Sequence, residues 1–91
     1  MKLKDKIDRR KEEQRIIAKW TGEARNHLMG RTITNVRYMT DEEQEDFGWY
    51  SKSVIIELDN GTGFFPMADD EGNDAGALGT NFKNLDTIPV I

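Results

Sequence analysis

Ser53-Val54-Ile55-Ile56-Glu57-Leu58-Asp59-Asn60-Gly61-Thr62-Gly63-Phe64-Phe65-Pro66-Met67 consists of two short apolar runs separated by turn residues, and its reading decides the fold. The first run is rich in β-branched residues, and Asn60-Gly61 supplies the residue types that most readily take the two positive-φ positions of a type I′ turn. The stretch therefore predicts an antiparallel hairpin with a two-residue loop. In that register Leu58 faces Gly63, Glu57 faces Phe64, Ile56 faces Phe65 and Val54 faces Met67. Side chains alternate along a strand, so Val54, Ile56, Leu58, Phe65 and Met67 would share one face. The other face carries Ile55 and Phe64 beside Glu57 and needs cover, from a helix or from closure of the sheet.

Upstream of the hairpin, Arg31 to Thr40 favours extended structure through Thr32, Ile33, Thr34, Val36 and Tyr38. Ile33 and Val36 are three apart, which breaks strict alternation. Either one of them faces solvent or a bulge near Thr34-Asn35 bends the strand. Thr40-Asp41-Glu42-Glu43 then fits a capping box, with a short helix through Asp46 closed by Gly48. Earlier still, Asp5 to Met29 holds strong helix formers, no proline, and ends at Gly30. Ile16, Ile17, Trp20, Ala24 and Leu28 form an apolar stripe in its second half. Arg10 and Gln14 interrupt that stripe, so residues 1–15 read as a solvated, frayed or partner-bound helix ahead of a compact body at 16–91. Thr21-Gly22 marks a weak point, because a mid-helix glycine costs about 1 kcal/mol relative to alanine.

Downstream, Asp69 to Thr80 is dominated by turn formers and reads as a loop. Phe82, Leu85, Ile88, Val90 and Ile91 then offer a last strand, confined to an edge by Pro89. These elements define one α+β domain: a long amino-terminal helix packed on a strongly bent antiparallel sheet of four or five strands, a curvature that approaches a small open barrel.

The run from Val36 to Thr80, with Tyr38-Met39-Thr40, Gly48-Trp49, Leu58-Asp59-Asn60-Gly61, Pro66 and Asp69-Asp70-Glu71-Gly72-Asn73, resembles a group of short uncharacterised bacterial proteins with no assigned activity. It covers about half the chain and implies no ligand or catalytic residue.

With 91 residues, 36% of them hydrophobic and 33% charged, the chain has one modest core and little apolar surface for a deep substrate cavity. It contains no cysteine, which removes disulfides and thiolate metal sites. No stretch approaches the length of a membrane span, and the first residues lack the apolar run of a signal peptide, so a cytoplasmic protein that makes no membrane contact is expected. Residues 1–20 hold eight basic and four acidic side chains, and the remainder holds five and thirteen. An acidic body repels phosphate backbones, so any nucleic-acid contact would fall to the amino-terminal helix, where interleaved acids weaken it.

Two groups of residues are candidates for binding. Asp69, Asp70 and Asp74 cluster oxygen ligands of the kind a divalent cation takes, although the loop fails the EF-hand spacing; Asp and Asn here also suit the capping of backbone groups. Phe47, Trp49 and Tyr50 are amphipathic aromatics around one loop, suited to anchoring a protein partner or to plugging one end of the core. The acids of Asp41 to Asp46 suit a first helical turn, and equally a patch that docks a basic surface such as another copy's amino-terminal helix. His27 is the sole histidine, and its place near a helix end suits interaction with terminal carbonyls. Gly61-Thr62-Gly63 has proline where a dinucleotide fingerprint needs its third glycine. No catalytic constellation and no cofactor site emerge. The sequence points to a non-catalytic protein-binding or self-assembly module, with cation binding by the acidic loop and nucleic-acid binding by the basic helix as alternatives.

Overall fold

The computed structural model describes residues 3–91, as α1 (Leu3–Leu28), β1 (Ile33–Tyr38), α2 (Asp41–Phe47), β2 (Val54–Leu58), β3 (Gly63–Phe64), β4 (Leu78–Phe82) and β5 (Leu85–Ile88). This is the expected α+β class. The strands form a three-stranded antiparallel sheet in the order β1-β2-β3 and a two-stranded antiparallel sheet of β4 and β5. No closed barrel is seen among the described residues. The stretch from Leu78 thus yields two short strands instead of a loop followed by one final strand.

The chain divides into two compact units, Met1–Arg31 and Thr32–Ile91. The break follows the whole of α1, whereas the fading apolar stripe suggests one after residue 15. Within the first unit α1 runs unbroken through Thr21-Gly22, and the next turn ends at Gly30 in the left-handed region, with φ 74°. The first unit holds ten basic and five acidic residues, the second three and twelve.

The second unit takes its register from the turn after β2. Gly61 has a φ of 81° while Asn60 does not have positive φ, and the Gly61 N–H donates to Leu58 O at 3.1 Å. The Leu58 N–H donates to Thr62 O at 2.7 Å. These are the marks of a three-residue loop, Asp59-Asn60-Gly61, with glycine at its left-handed position, and not of the two-residue type I′ loop. Asn60 Oδ1 instead accepts from the Thr62 N–H at 3.1 Å, an Asx-type contact that holds the tip.

One extra loop residue shifts every pair. Ile56 faces Phe64 and Glu57 faces Gly63, where the sequence predicts Phe65 and Phe64. A one-residue shift exchanges faces, so Phe65 leaves the side of Val54, Ile56 and Leu58 and joins that of Ile55. There it packs against the buried cluster of Met39, Trp49, Ile55 and Ala75. The cover required over Ile55 therefore comes from the loop after α2 and the segment after β3.

The irregular spacing of β1 is resolved by a bulge. Ile33 pairs with Leu58 and Asn35 with Glu57, which leaves Thr34 as the additional residue. Beyond it Val36 pairs with Ile56 and Arg37 with Ile55. The bulge returns Ile33 and Val36 to one face and places Arg37 on the face of Ile55 and Glu57.

Ser53, with 0% exposure, ties this sheet to the segments that follow it. Its hydroxyl donates to Pro66 O at 2.7 Å and accepts from the Gly76 N–H at 3.1 Å. Gly76 also donates its N–H toward Pro66 O at 3.1 Å. A Cβ at Gly76 would stand 2.6 Å from the Met67 carbonyl carbon and oxygen, a distance no side chain tolerates. Gly76→Ala should therefore lower stability by about 1–3 kcal/mol, the usual cost of forcing atoms into packed space. Urea unfolding of the two proteins measures it, and equal midpoints would show that this approach is slack.

Candidate functional site

The residues on the Ile55 face of the sheet form a polar constellation beside an open groove. Arg37 lies diagonally across from Glu57, because Asn35 is Glu57's direct partner and Arg37 is Ile55's. Its Nε donates to Glu57 Oε1 at 2.6 Å. The other end of the guanidinium grips Glu43 with two bonds, Nη1 to Oε1 at 2.7 Å and Nη2 to Oε2 at 3.0 Å. Nη1 also reaches the Tyr38 carbonyl at 3.2 Å. A planar fork with fixed donors suits this arrangement, which a lysine would not reproduce.

Glu43 reaches that position through local chemistry. Thr40 is extended and caps α2, its hydroxyl accepting from the Glu43 N–H at 3.1 Å. Glu43 Oε1 accepts from the Thr40 N–H at 2.9 Å, which completes the expected capping box. Gly48, with φ 71°, closes the helix as the sequence predicts. The one carboxylate thus serves both the helix start and the cross-sheet ion pair. The hydrogen bonds from Arg37, and then that from Thr40, hold its pKa at about 2, below the ordinary 4.5.

Around this ion pair lies an open groove of about 400 Å³. Phe47, Ile55 and Phe65 supply its apolar wall, Thr34 and Thr62 its hydroxyls, and Gly61 to Gly63 its backbone rim. Phe47 is half-exposed, and its ring stacks on Trp49 at 4.6 Å between centroids. Phe65 meets the same pair, 5.4 Å from Phe47 and 5.9 Å from Trp49.

The three aromatics expected to act together are therefore separated. Trp49 is buried and donates its indole N–H to Gly72 O at 2.7 Å, a core plug with its polar edge satisfied. Tyr50 is 90% exposed. Only Phe47 faces the groove, where Phe65 joins it.

The acidic loop is organised around backbone groups. Asp69 Oδ1 accepts from the Glu71 and Asn73 N–H groups at 3.0 and 3.2 Å, and Oδ2 accepts from Asn73 Nδ2 at 2.7 Å. These bonds, led by that from the Asn73 side chain, hold the Asp69 carboxyl below its ordinary pKa. Asp74 Oδ1 accepts from the Tyr50, Ser51 and Ala75 N–H groups at 3.2, 3.3 and 2.8 Å. Asp74 therefore pins its loop to the segment carrying Trp49, as does the indole bond to Gly72. Asp69, Asp70 and Asp74 do not converge: among the described residues no group of three or more His, Asp or Glu is placed to hold a metal ion. Their turn-forming sequence explains this, since Asp69 and Asp74 each chelate nearby amides instead of a shared point.

In the first unit, His27 Nδ1 donates to Glu23 O at 2.8 Å, the terminal-carbonyl contact its position suggests. No helix among the described residues is long and apolar enough to cross a membrane. No protein-family model, curated protein or solved structure matches the chain.

The Arg37 to Glu57 pairing is hard to see in sequence, because it needs both the Thr34 bulge and the register of β1 on β2. The capping box was a partial signal, since it marks Glu43 as a carboxylate held in place.

Because Glu43 is more acidic in the folded chain than in the unfolded one, folding favours its charged form. That contribution is complete above pH 4.5 and is lost as the pH falls through about 2. The stability gap between the natural chain and Glu43→Gln should thus be widest near neutral pH and close in strong acid. Urea midpoints across the acid range measure it, and a gap independent of pH would contradict the assigned shift.

Proposed function

We propose that the chain is a non-catalytic protein-binding module whose most concrete form is self-assembly through α1. The observation that carries this reading is the face of that helix. Ile17 and Trp20 are 56% and 61% exposed, and Ile16 and Leu28 are exposed beside them. An apolar strip of this kind on a charged helix is what helix-docking interfaces use. Trp20 is a strong anchor by residue type, and the Lys19 ammonium lies 5.3 Å from its ring centroid.

Charge selects the partner. The first unit carries five more basic than acidic residues and the second nine more acidic than basic. A surface complementary to α1 is acidic, and the second unit of another copy meets that requirement. Nucleic acid is disfavoured by that acidic unit and by the five acids within the basic one. Acids of α2 add to the complementary surface: Asp41 is bonded to Lys52 at 2.8 Å, while Glu42, Glu45 and Asp46 enter none of the described ion pairs.

Sedimentation velocity at ionic strengths of about 0.05 and 0.5 M tests the reading, because screening weakens contacts between opposite charges. Assembly at the lower strength that dissociates at the higher is expected. Trp20→Ala, which keeps a good helix former, should weaken the assembly by about tenfold or more, as loss of an aromatic anchor does. A monomer at every concentration and salt would overturn self-assembly.

A further inference from the structure

We infer that the groove beside Arg37 is a socket for a basic side chain of α1 from a second copy, contributed by Arg9 or Arg10. The inference rests on the assembly reading and adds to it a specific contact.

The groove's charge disfavours anions. Every nitrogen of the Arg37 guanidinium already donates to Glu57, Glu43 or the Tyr38 carbonyl. Four of its five N–H donors are thus engaged, and the one cation on the wall keeps a single Nη2 N–H beside two carboxylates that repel a phosphate or carboxylate. The ion-pair set carries one positive and two negative charges. Both oxygens of Glu43 are engaged, whereas only Oε1 of Glu57 has a hydrogen-bond partner among the described residues. Glu57 Oε2 is thus an acceptor open to an incoming donor. Phe47 and Phe65 stand on the same wall, and an aromatic face beside a carboxylate suits a guanidinium or ammonium on an aliphatic stem. A volume of about 400 Å³ accommodates such a side chain, and its openness to solvent suits insertion from a neighbouring surface.

The basic unit carries side chains in the right place to supply it. Arg9 and Arg10 lie seven residues before Ile16 and Ile17, which is two helical turns and about 10 Å along the axis. They therefore extend the same face on which Ile16, Ile17 and Trp20 are exposed. When that face docks on an acidic surface, these two guanidinium groups meet it as well. Charge complementarity between the units assigns the role of partner to a second copy.

The test uses the full isotope-labelled chain at low ionic strength, followed on dilution by NMR and sedimentation. Resonances of Ile55 and Gly63 should move with concentration. Arg9→Gln/Arg10→Gln should raise the dissociation constant about tenfold and suppress those movements, consistent with the loss of a close interfacial charge pair. Thr62→Lys places a like charge on the rim at an exposed position, and keeps the backbone bond from Leu58. It should weaken assembly to a similar extent, with unchanged core resonances confirming the fold. Assembly that persists undiminished in Thr62→Lys overturns the socket and leaves the assembly reading intact. Ile55 and Gly63 shifts independent of concentration in a chain that still loses them in Arg9→Gln/Arg10→Gln would assign the socket to the chain's own helix, and also overturn the inference. A monomer under all conditions removes both.

Discussion

The loop Asp59-Asn60-Gly61 is the constraint on which the second unit depends. Its three residues, with glycine alone in the left-handed region, set Ile56 opposite Phe64 and thereby turn Phe65 toward Ile55. A register shift moves a whole set of side chains between faces, so this local choice determines what the core contains. With Phe65 beside them, Trp49 and Met39 close over Ile55, and Ala75 completes the cluster. The same register brings Gly63 opposite Glu57 and opens the groove whose rim the turn itself supplies.

Glu43 links helix capping to sheet chemistry. A capping-box carboxylate ordinarily satisfies only a helix's first amides. Here its two oxygens also receive the Arg37 fork, so the start of α2 is fastened to β1. Arg37 reaches Glu57 with its Nε–H, and β2 joins the same set. Each group is only partly withdrawn from water, so the ion pairs contribute modest free energy and mainly fix orientation. The consequence for recognition is that most of the arginine's donors are engaged internally, and the groove's residual character is acidic and aromatic.

Loops that look like binding sites in the chain are the ties of this small unit. Asp74 receives three backbone amides and Gly72 accepts the Trp49 indole, so the acidic loop secures the plug over Ile55. Ser53 performs the equivalent task from inside the sheet, through Pro66 and Gly76. With few large apolar residues available, buried hydrogen bonds that hold loops onto the sheet carry part of the specification of the fold.

Local signals in the sequence determined α1 with its closing Gly30, the capping box and Gly48 that bound α2, and the existence of the hairpin, and they offered a bulge near Thr34-Asn35 as one of two readings of β1 that the pairing with β2 then decided. All follow from residues within a few positions of one another, where propensity and capping act directly. The separation of charge between the basic helix and the acidic remainder was equally plain. Tertiary structure alone decided the turn class after Leu58, because Asn-Gly satisfies both a two-residue loop and a three-residue loop with glycine last, and burial of Phe65 against Ile55 and Trp49 favours the second. It likewise decided that Trp49 is core while Tyr50 is surface, that Asp69 and Asp74 bind amides, and that Arg37 meets both Glu43 and Glu57. Those outcomes depend on which residues distant in the chain become neighbours, and composition and spacing along a single strand contain no record of that.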